Sequence, residues 1–98
     1  MKIEVRNIKE NPVNMLRRVG YAFQRHEGNE MSFVRPFSAS GYPRFHMYVK
    51  TEGSDMIINI HYDAKKETYE EGTRHHGEYG DEGVLKEEVR RLNALLGN

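Results

Sequence analysis

Cysteine is missing from this chain of 98 residues, and so are long apolar runs. Without cysteine, disulfide bonds and thiolate metal sites are excluded. No apolar run approaches the roughly 20 residues that cross a bilayer, and the segment MKIEVRNIKENP lacks the apolar core of a signal peptide. We therefore expect a protein without membrane segments that resides in the cytoplasm.

An excess of charge of either sign is missing as well, since 15 Lys and Arg balance 15 Asp and Glu. Nonspecific coating of DNA depends on electrostatic attraction to phosphates, so a neutral chain is poorly suited to it. Residues 1–50 nevertheless contain nine basic and four acidic side chains, and residues 51–98 contain six basic and eleven acidic ones. A basic face beside an acidic one, or surface charges that pair with each other, both fit this asymmetry.

The apolar pattern predicts a strand and then a helix at the start of a single domain, residues 1–98. Ile3 and Val5 alternate with polar residues, which indicates a short strand. An Asn-Pro pair, a favoured helix start, precedes an apolar stripe that predicts a helix from about Pro12 to Glu27. Gly20 lowers helix stability by roughly 1 kcal/mol relative to alanine, so we expect a close packing contact there.

Three more strands and a second helix are predicted in the rest of the chain. Residues 31–37 indicate a strand that ends at a proline, and residues 44–66 indicate a hairpin. Residues 64–82 are acidic, rich in glycine and histidine and without periodicity, so we expect a flexible loop there. An apolar stripe predicts a helix from about Glu82 to Leu96.

The fold class that follows from this order, β-α-β-β-β-α, is α+β. We expect an antiparallel sheet of three to four strands, with two helices packed on one face. The first strand joins the sheet in either a parallel or an antiparallel direction.

The predicted hairpin, RFHMYVKTEGSDMIINIHYDAKK, separates its side chains into two faces. If the turn centres on Gly53-Ser54, residues alternate between the faces along both strands. The apolar face, which we expect to join the core, consists of Phe45, Met47, Val49, Ile58, Ile60 and Tyr62. The polar face places Arg44 opposite Asp63, His46 opposite His61, and Tyr48 opposite Asn59. Opposed side chains have Cβ atoms about 4.5–5.5 Å apart, so the two histidines are expected to be neighbours on an exposed face.

Three hypotheses about function follow from this polar face, beside the possibility of a solvated face without a ligand. The first is binding of RNA or a small anionic ligand, with Arg44, Tyr48, Asn59, Asp63 and Lys65 as binding residues. In it, Tyr48, Phe33 or Phe37 would stack on bases while Arg35, Arg44, Lys65 and Lys66 contact phosphates. The second is an enzyme acting on phosphodiesters, with His46 and His61 as base and acid and Arg44 or Lys65 stabilising the developing charge. The third is a protein-interaction module that uses an exposed strand edge.

A metal site on the same face is a further candidate. His46, His61 and Asp63 offer three ligands, and the loop offers His75 or His76. Three protein ligands and a water would suit catalytic zinc. The spacing matches no standard metal motif, and an adjacent pair of histidines in a glycine-rich segment also occurs without a metal.

Several segments resemble those of known proteins. YPRFHMYVK, INIHYDAKK and HHGEYGDEGVLKEEVRRL are similar to segments of a group of short, uncharacterised prokaryotic proteins, a resemblance that implies a fold and no activity. MLRRVGYAFQRHEG resembles the opening helix, turn and first strand of HicA-type mRNA interferase toxins, which share the double-stranded-RNA-binding-like fold. MIINIHYD and GVLKEEVRRLNALLG resemble their last strand and closing helix. The catalytic histidine of those toxins has no counterpart in Gly28-Asn29-Glu30, so the resemblance implies the scaffold without the activity.

Overall fold

The computed structural model describes residues 1–64 and 77–97. Their elements are β1 (Lys2–Val5), α1 (Pro12–Arg18), β2 (Ala22–Glu27), β3 (Glu30–Pro36), β4 (Arg44–Glu52), β5 (Asp55–Asp63) and α2 (Gly77–Leu96). The strands form one antiparallel sheet in the order β1-β5-β4-β3-β2. The α+β class is confirmed, and the sheet has five strands instead of the three to four predicted.

The additional strand, β2, comes from the second half of the predicted first helix, which is wrong there. Helix α1 ends at Arg18 because Gly20 adopts a φ of +104°. The backbone N–H groups of Gly20 and Tyr21 donate to the carbonyl oxygens of Arg17 and Leu16 at 3.0 and 2.8 Å. These bonds close the last helical turn in the way that a glycine-terminated helix does, and the chain leaves as an extended strand.

The two edges of the sheet are β1 and β2. The direction of β1, which the sequence left open, is antiparallel to β5, with Val5 opposite Met56. All six residues of β2 are solvent-exposed. Its pairing with β3 is interrupted between Phe23 and Arg25, where Gln24 forms a bulge.

Helix α2 begins at Gly77, before the predicted start at about Glu82. The last part of the predicted 64–82 loop is therefore helical, and residues 65–76 lie outside the described residues. Three glycines, at positions 77, 80 and 83, lower the helix propensity of this segment and conceal it in the sequence pattern. Neither helix in the described part of the chain has the length and apolarity that a membrane span requires.

The hydrophobic core lies between the helices and one face of the sheet. Its buried members include Leu16 of α1 and Leu92 of α2, both fully buried. The apolar face of the hairpin packs against them, as predicted. Both helices therefore cover the same face, and we call the opposite one the outer face. Phe33 is fully buried on the core face, so the prediction that it stacks on bases is wrong.

A buried carboxylate, Glu88 of α2, connects the helices to the sheet. It accepts a hydrogen bond from the Tyr21 hydroxyl at 2.7 Å and two from the Arg91 guanidinium at 2.9 and 2.8 Å. Arg35 of β3 donates at 3.2 Å, so Arg35, predicted as a phosphate contact, pairs with Glu88 instead. Arg91 also donates to the Val19 carbonyl oxygen at 2.7 Å, which fixes the end of α1 against α2.

Candidate functional site

The hairpin has the register that the sequence predicts. On the outer face Arg44 pairs with Asp63, His46 with His61, and Tyr48 with Asn59. The two imidazole rings lie 4.9 Å apart between centroids. The alternation of side chains in two paired strands is therefore sufficient to bring both histidines together.

His46 is buried, with 6% of its surface exposed, whereas the sequence predicted an exposed residue. The ring of Tyr48 lies 4.7 Å from its ring between centroids and covers one side. His61 and Ser32 occupy neighbouring positions on the adjacent strands. A central position in a five-stranded sheet explains this burial, because side chains from both neighbouring strands surround it.

Two residues that the sequence did not indicate, Ser32 and Gln24, fix the His46 ring. The Ser32 hydroxyl donates to Gln24 Oε1 at 2.8 Å and lies 2.9 Å from His46 Nε2. Since the only hydroxyl hydrogen points to Gln24, we assign a hydrogen to Nε2, which donates it to Ser32. This assignment leaves the Nδ1 lone pair of His46 directed at Asp63. The bulge at Gln24, a feature that re-aims side chains, exists only once β2 is paired with β3, so the sequence pattern does not signal this relay.

Asp63 lies between the two histidines. Its Oδ2 is 3.5 Å from His46 Nδ1, and its Oδ1 is 3.6 Å from His61 Nε2. The same Oδ2 accepts a hydrogen bond from Arg44 Nε at 3.2 Å. Arg44 in turn lies over the Tyr42 ring, with its Cζ 4.5 Å from the ring centroid, so the guanidinium is held on two sides.

His46, His61 and Asp63 each offer one ligand atom, and these three atoms lie within 4.8 Å of one another. We call these residues the histidine–aspartate cluster. Ligand atoms about 2.0–2.2 Å from a tetrahedral zinc ion stand about 3.3–3.6 Å apart, so the three side chains have to rotate closer together to bind one ion. Two histidines and one carboxylate are a ligand set that zinc and Fe(II) enzymes use with positions left open.

The protonation state of His46 suits metal ligation. Burial lowers the pKa of His46 below its ordinary value, as do the neighbouring charges of His61, Arg44 and Arg25, while Asp63 acts in the opposite direction. A lowered pKa favours the neutral imidazole near pH 7, and the neutral ring is the form that binds a metal. His61 is 45% exposed at its side chain, so the cluster is open to solvent on that side.

Ser32, His46 and Asp63 follow one another in the order of a serine hydrolase triad, with Ser32 on Nε2 and Asp63 on Nδ1. The resemblance ends at the hydrogens and at accessibility, because the Ser32 hydroxyl donates to Gln24 instead of to Nε2 and Ser32 has no exposed surface. A nucleophilic hydroxyl must reach a substrate carbon. Ser32 therefore positions His46 and does not attack a substrate.

Beside Lys2, which lies opposite Asn59, three basic side chains of the outer face are already paired with carboxylates. The pairs are Arg44 with Asp63 at 3.2 Å, Arg25 with Glu27 at 2.6 Å, and Lys50 with Glu52 at 3.8 Å. Asn59, another predicted binding residue, is exposed on the same face opposite Tyr48. Lys65, Lys66, His75 and His76 lie outside the described residues, so their predicted roles stay predictions.

No protein-family model, curated protein or solved structure shows a significant match to this chain. The resemblances to short prokaryotic proteins and to HicA-type toxins therefore stay predictions. Function has to be inferred from the residues of the site.

Proposed function

We propose that the protein binds a small ligand on its outer face and that this ligand is a divalent transition-metal ion, zinc in the first instance. The single observation that carries the proposal is the approach of His46, His61 and Asp63 ligand atoms to within 4.8 Å of one another. Neutral imidazoles and a carboxylate form a ligand set that zinc accepts.

The surroundings of the cluster support this proposal. Metal-binding histidines usually donate their second ring N–H to a fixed acceptor, which sets the tautomer. Ser32 provides that acceptor for His46 at 2.9 Å, and Gln24 holds Ser32 in turn. A solvated face has no need for such a buried relay, because water satisfies exposed imidazoles equally well.

RNA binding and metal-free acid–base catalysis are less well supported by the same face. RNA binding draws on unpaired cations, and three basic side chains around the cluster are neutralised by carboxylates. A catalytic base must reach its substrate, and both ring nitrogens of His46 are directed at Ser32 and Asp63. Both functions stay predictions, as do the cytoplasmic location and an interaction through the exposed edge strands.

Zinc titration of the full chain without an affinity tag tests the proposal. We expect one zinc ion per chain by calorimetry, with shifts of the His46 and His61 ring signals in NMR spectra. His61→Ala and Asp63→Asn each remove a metal ligand. They should weaken zinc binding by more than the roughly 10–100-fold that follows when a ligand loses its hydrogen-bond partner. Absence of zinc binding, or equal binding by the wild type and His61→Ala, would show the proposal to be wrong.

Other histidines of the chain provide matched controls. His26 lies on β2 with its ring 5.3 Å from that of Phe23, outside the cluster, so His26→Ala should bind zinc like the wild type. A double variant, His75→Ala with His76→Ala, measures whether these two residues add ligands. Weaker zinc binding by that variant would mean that His75 or His76 is an additional ligand, as the sequence predicts. Unchanged binding would mean that the ligands come from the cluster alone.

Ser32→Ala is expected to weaken zinc binding about 10–100-fold without abolishing it. The substitution removes the acceptor of the His46 Nε2 hydrogen, so the ring loses its fixed tautomer and orientation. Comparison of zinc titrations of Ser32→Ala and Ser38→Ala measures the effect, since Ser38 is exposed and bonds to Ser40 and Tyr42 of its own loop. Equal affinities of the two variants would contradict a positioning role of Ser32.

A further inference from the structure

The side chain next to the cluster, Arg44, is arranged to receive a second ligand. Its Nε donates to Asp63 Oδ2, and its plane is held against Tyr42. Its two Nη groups hold no hydrogen bond to the described residues. A guanidinium that is fixed on one side and has free donors on the other is suited to bind an oxyanion through parallel hydrogen bonds.

The charge of this region depends on the metal. Without a metal, Arg44 and Asp63 neutralise each other at 3.2 Å. A bound divalent ion adds two positive charges beside neutral imidazoles, so the cluster together with Arg44 gains a net charge of two. An ion with three protein ligands also keeps an open coordination position, and the exposed side of His61 leaves room for a ligand to approach.

We propose that the zinc-loaded cluster and Arg44 together form a binding site for a phosphate group. One phosphate oxygen occupies the open metal position, and other oxygens accept hydrogen bonds from the Nη groups of Arg44. A phosphate group carries a charge of about −1.5 to −2 near neutral pH, which matches the charge of the loaded site better than a carboxylate does. This inference rests on the proposed zinc site and names the substrate class that the site accepts.

Zinc acts here as the switch for anion binding. Without the metal, three basic side chains of the outer face, Arg44, Arg25 and Lys50, already have carboxylate partners. Phosphate affinity is therefore expected only after loading. Arg44 has opposite effects on the two ligands, since it competes with zinc for Asp63 Oδ2 and assists the phosphate.

The test compares zinc-free protein with stoichiometrically loaded protein from which excess zinc has been removed. Calorimetry measures binding of inorganic phosphate, uridine monophosphate, a short oligouridylate and acetate. We expect at least tenfold tighter phosphate binding by the loaded form. Tighter binding of the monophosphate would identify a small phosphate ester as the source of the group. Tighter binding of the oligouridylate, whose backbone phosphates carry one negative charge each, would contradict the charge match.

Arg44→Gln tests the role of the guanidinium. In this variant, zinc affinity should stay equal or rise, while phosphate affinity of the loaded form falls roughly tenfold, the effect of losing hydrogen bonds to a charged group. Lys50→Gln is the matched control on the same strand, because Lys50 lies on the outer face but forms its ion pair with Glu52 and not with Asp63, so it should leave both affinities unchanged.

The outcomes separate the two proposals. Failure of zinc to bind overturns both. If zinc binds normally, three results overturn the phosphate site and leave the zinc site in place. They are equal phosphate affinity of the loaded and zinc-free forms, equal affinities for phosphate and acetate, and no effect of Arg44→Gln.

Discussion

Replacing Glu88 with alanine is expected to lower the free energy of unfolding by about 3–5 kcal/mol, the usual effect of breaking a buried ion pair from one side. Glu88 is 4% exposed and accepts hydrogen bonds from Tyr21, Arg35 and Arg91. Its removal leaves the Tyr21 hydroxyl buried without an acceptor and leaves two guanidinium groups without a counterion. Urea unfolding followed by circular dichroism measures the difference.

The adjacent residue on α2 supplies the control. Glu87 also pairs with an arginine, Arg90, but both side chains are about three-quarters exposed, 74% and 70%. Glu87→Ala should therefore change the free energy of unfolding by less than about 1 kcal/mol, as for other surface pairs. Similar losses for Glu87→Ala and Glu88→Ala would contradict a special role of the buried network.

The pH dependence of stability should reveal the same carboxylate. Burial by itself raises the pKa of Glu88, but hydrogen bonds from Arg91 and Tyr21 and the charges of Arg35 and Arg91 outweigh it and hold the pKa below its ordinary value. A carboxyl with a lowered pKa stabilises the fold above its unfolded value of about 4.3, and this contribution is lost as the pH falls through the folded pKa.

Wild type and Glu88→Gln therefore differ most in unfolding free energy near pH 7, and the difference shrinks below about pH 4. Glu87→Gln should run parallel to the wild type over the same range. A constant difference between the wild type and Glu88→Gln would mean that Glu88 stabilises the fold by packing instead of by charge. Tyr21 does not titrate in this range, because burial and its bond to Glu88 raise its pKa.

The hairpin shows which part of the fold is predictable from sequence. Apart from Ile57, apolar and polar residues alternate along its strands, and its turn contains Gly53, so one register buries Phe45, Met47 and Val49 together. A slip of one residue would expose all of them. The position of His46 opposite His61 follows from that register without any knowledge of function.

The burial of His46 is not predictable from the sequence in the same way. Tyr48, His61 and Ser32 surround His46, and Ser32 in turn bonds to Gln24 of β2. The placement of Ser32 and Gln24 requires the pairing of β2 with β3, and the sequence pattern predicts a helix over the residues of β2.

In the sequence, Glu88 looks like any polar residue on a helix. It is buried and bonded because Tyr21, Arg35 and Arg91 meet around it in the folded chain.

The end of α1 illustrates why local pattern alone fails. Val13, Leu16, Val19 and Phe23 fit a helical stripe, and the penalty for Gly20 in a helix is only about 1 kcal/mol. The stripe predicts a longer helix, whereas the tertiary structure uses Gly20 as a left-handed stop. The first three positions of the stripe, up to Val19, fit both folds, so the pairing of Phe23 with Phe33 distinguishes them.

The same substitution at two glycines should have effects of opposite sign. Gly20 has a φ of +104°, and an added Cβ would lie 3.1 Å from Arg35 Nε and 3.2 Å from its Cδ. We expect Gly20→Ala to lower the free energy of unfolding by about 1–3 kcal/mol through backbone strain, with a further loss because Arg35 must shift away from Glu88.

Gly83 lies inside α2, and an added Cβ there meets no atom of the described residues within 4 Å. Gly83→Ala should raise the free energy of unfolding by about 0.5–1 kcal/mol, because alanine has the higher helix propensity. Urea unfolding of both variants beside the wild type measures the two effects. If α1 continued through Gly20 as the sequence pattern suggests, both substitutions would stabilise the protein. A gain in stability for Gly20→Ala would therefore contradict the left-handed stop and the fifth strand that depends on it.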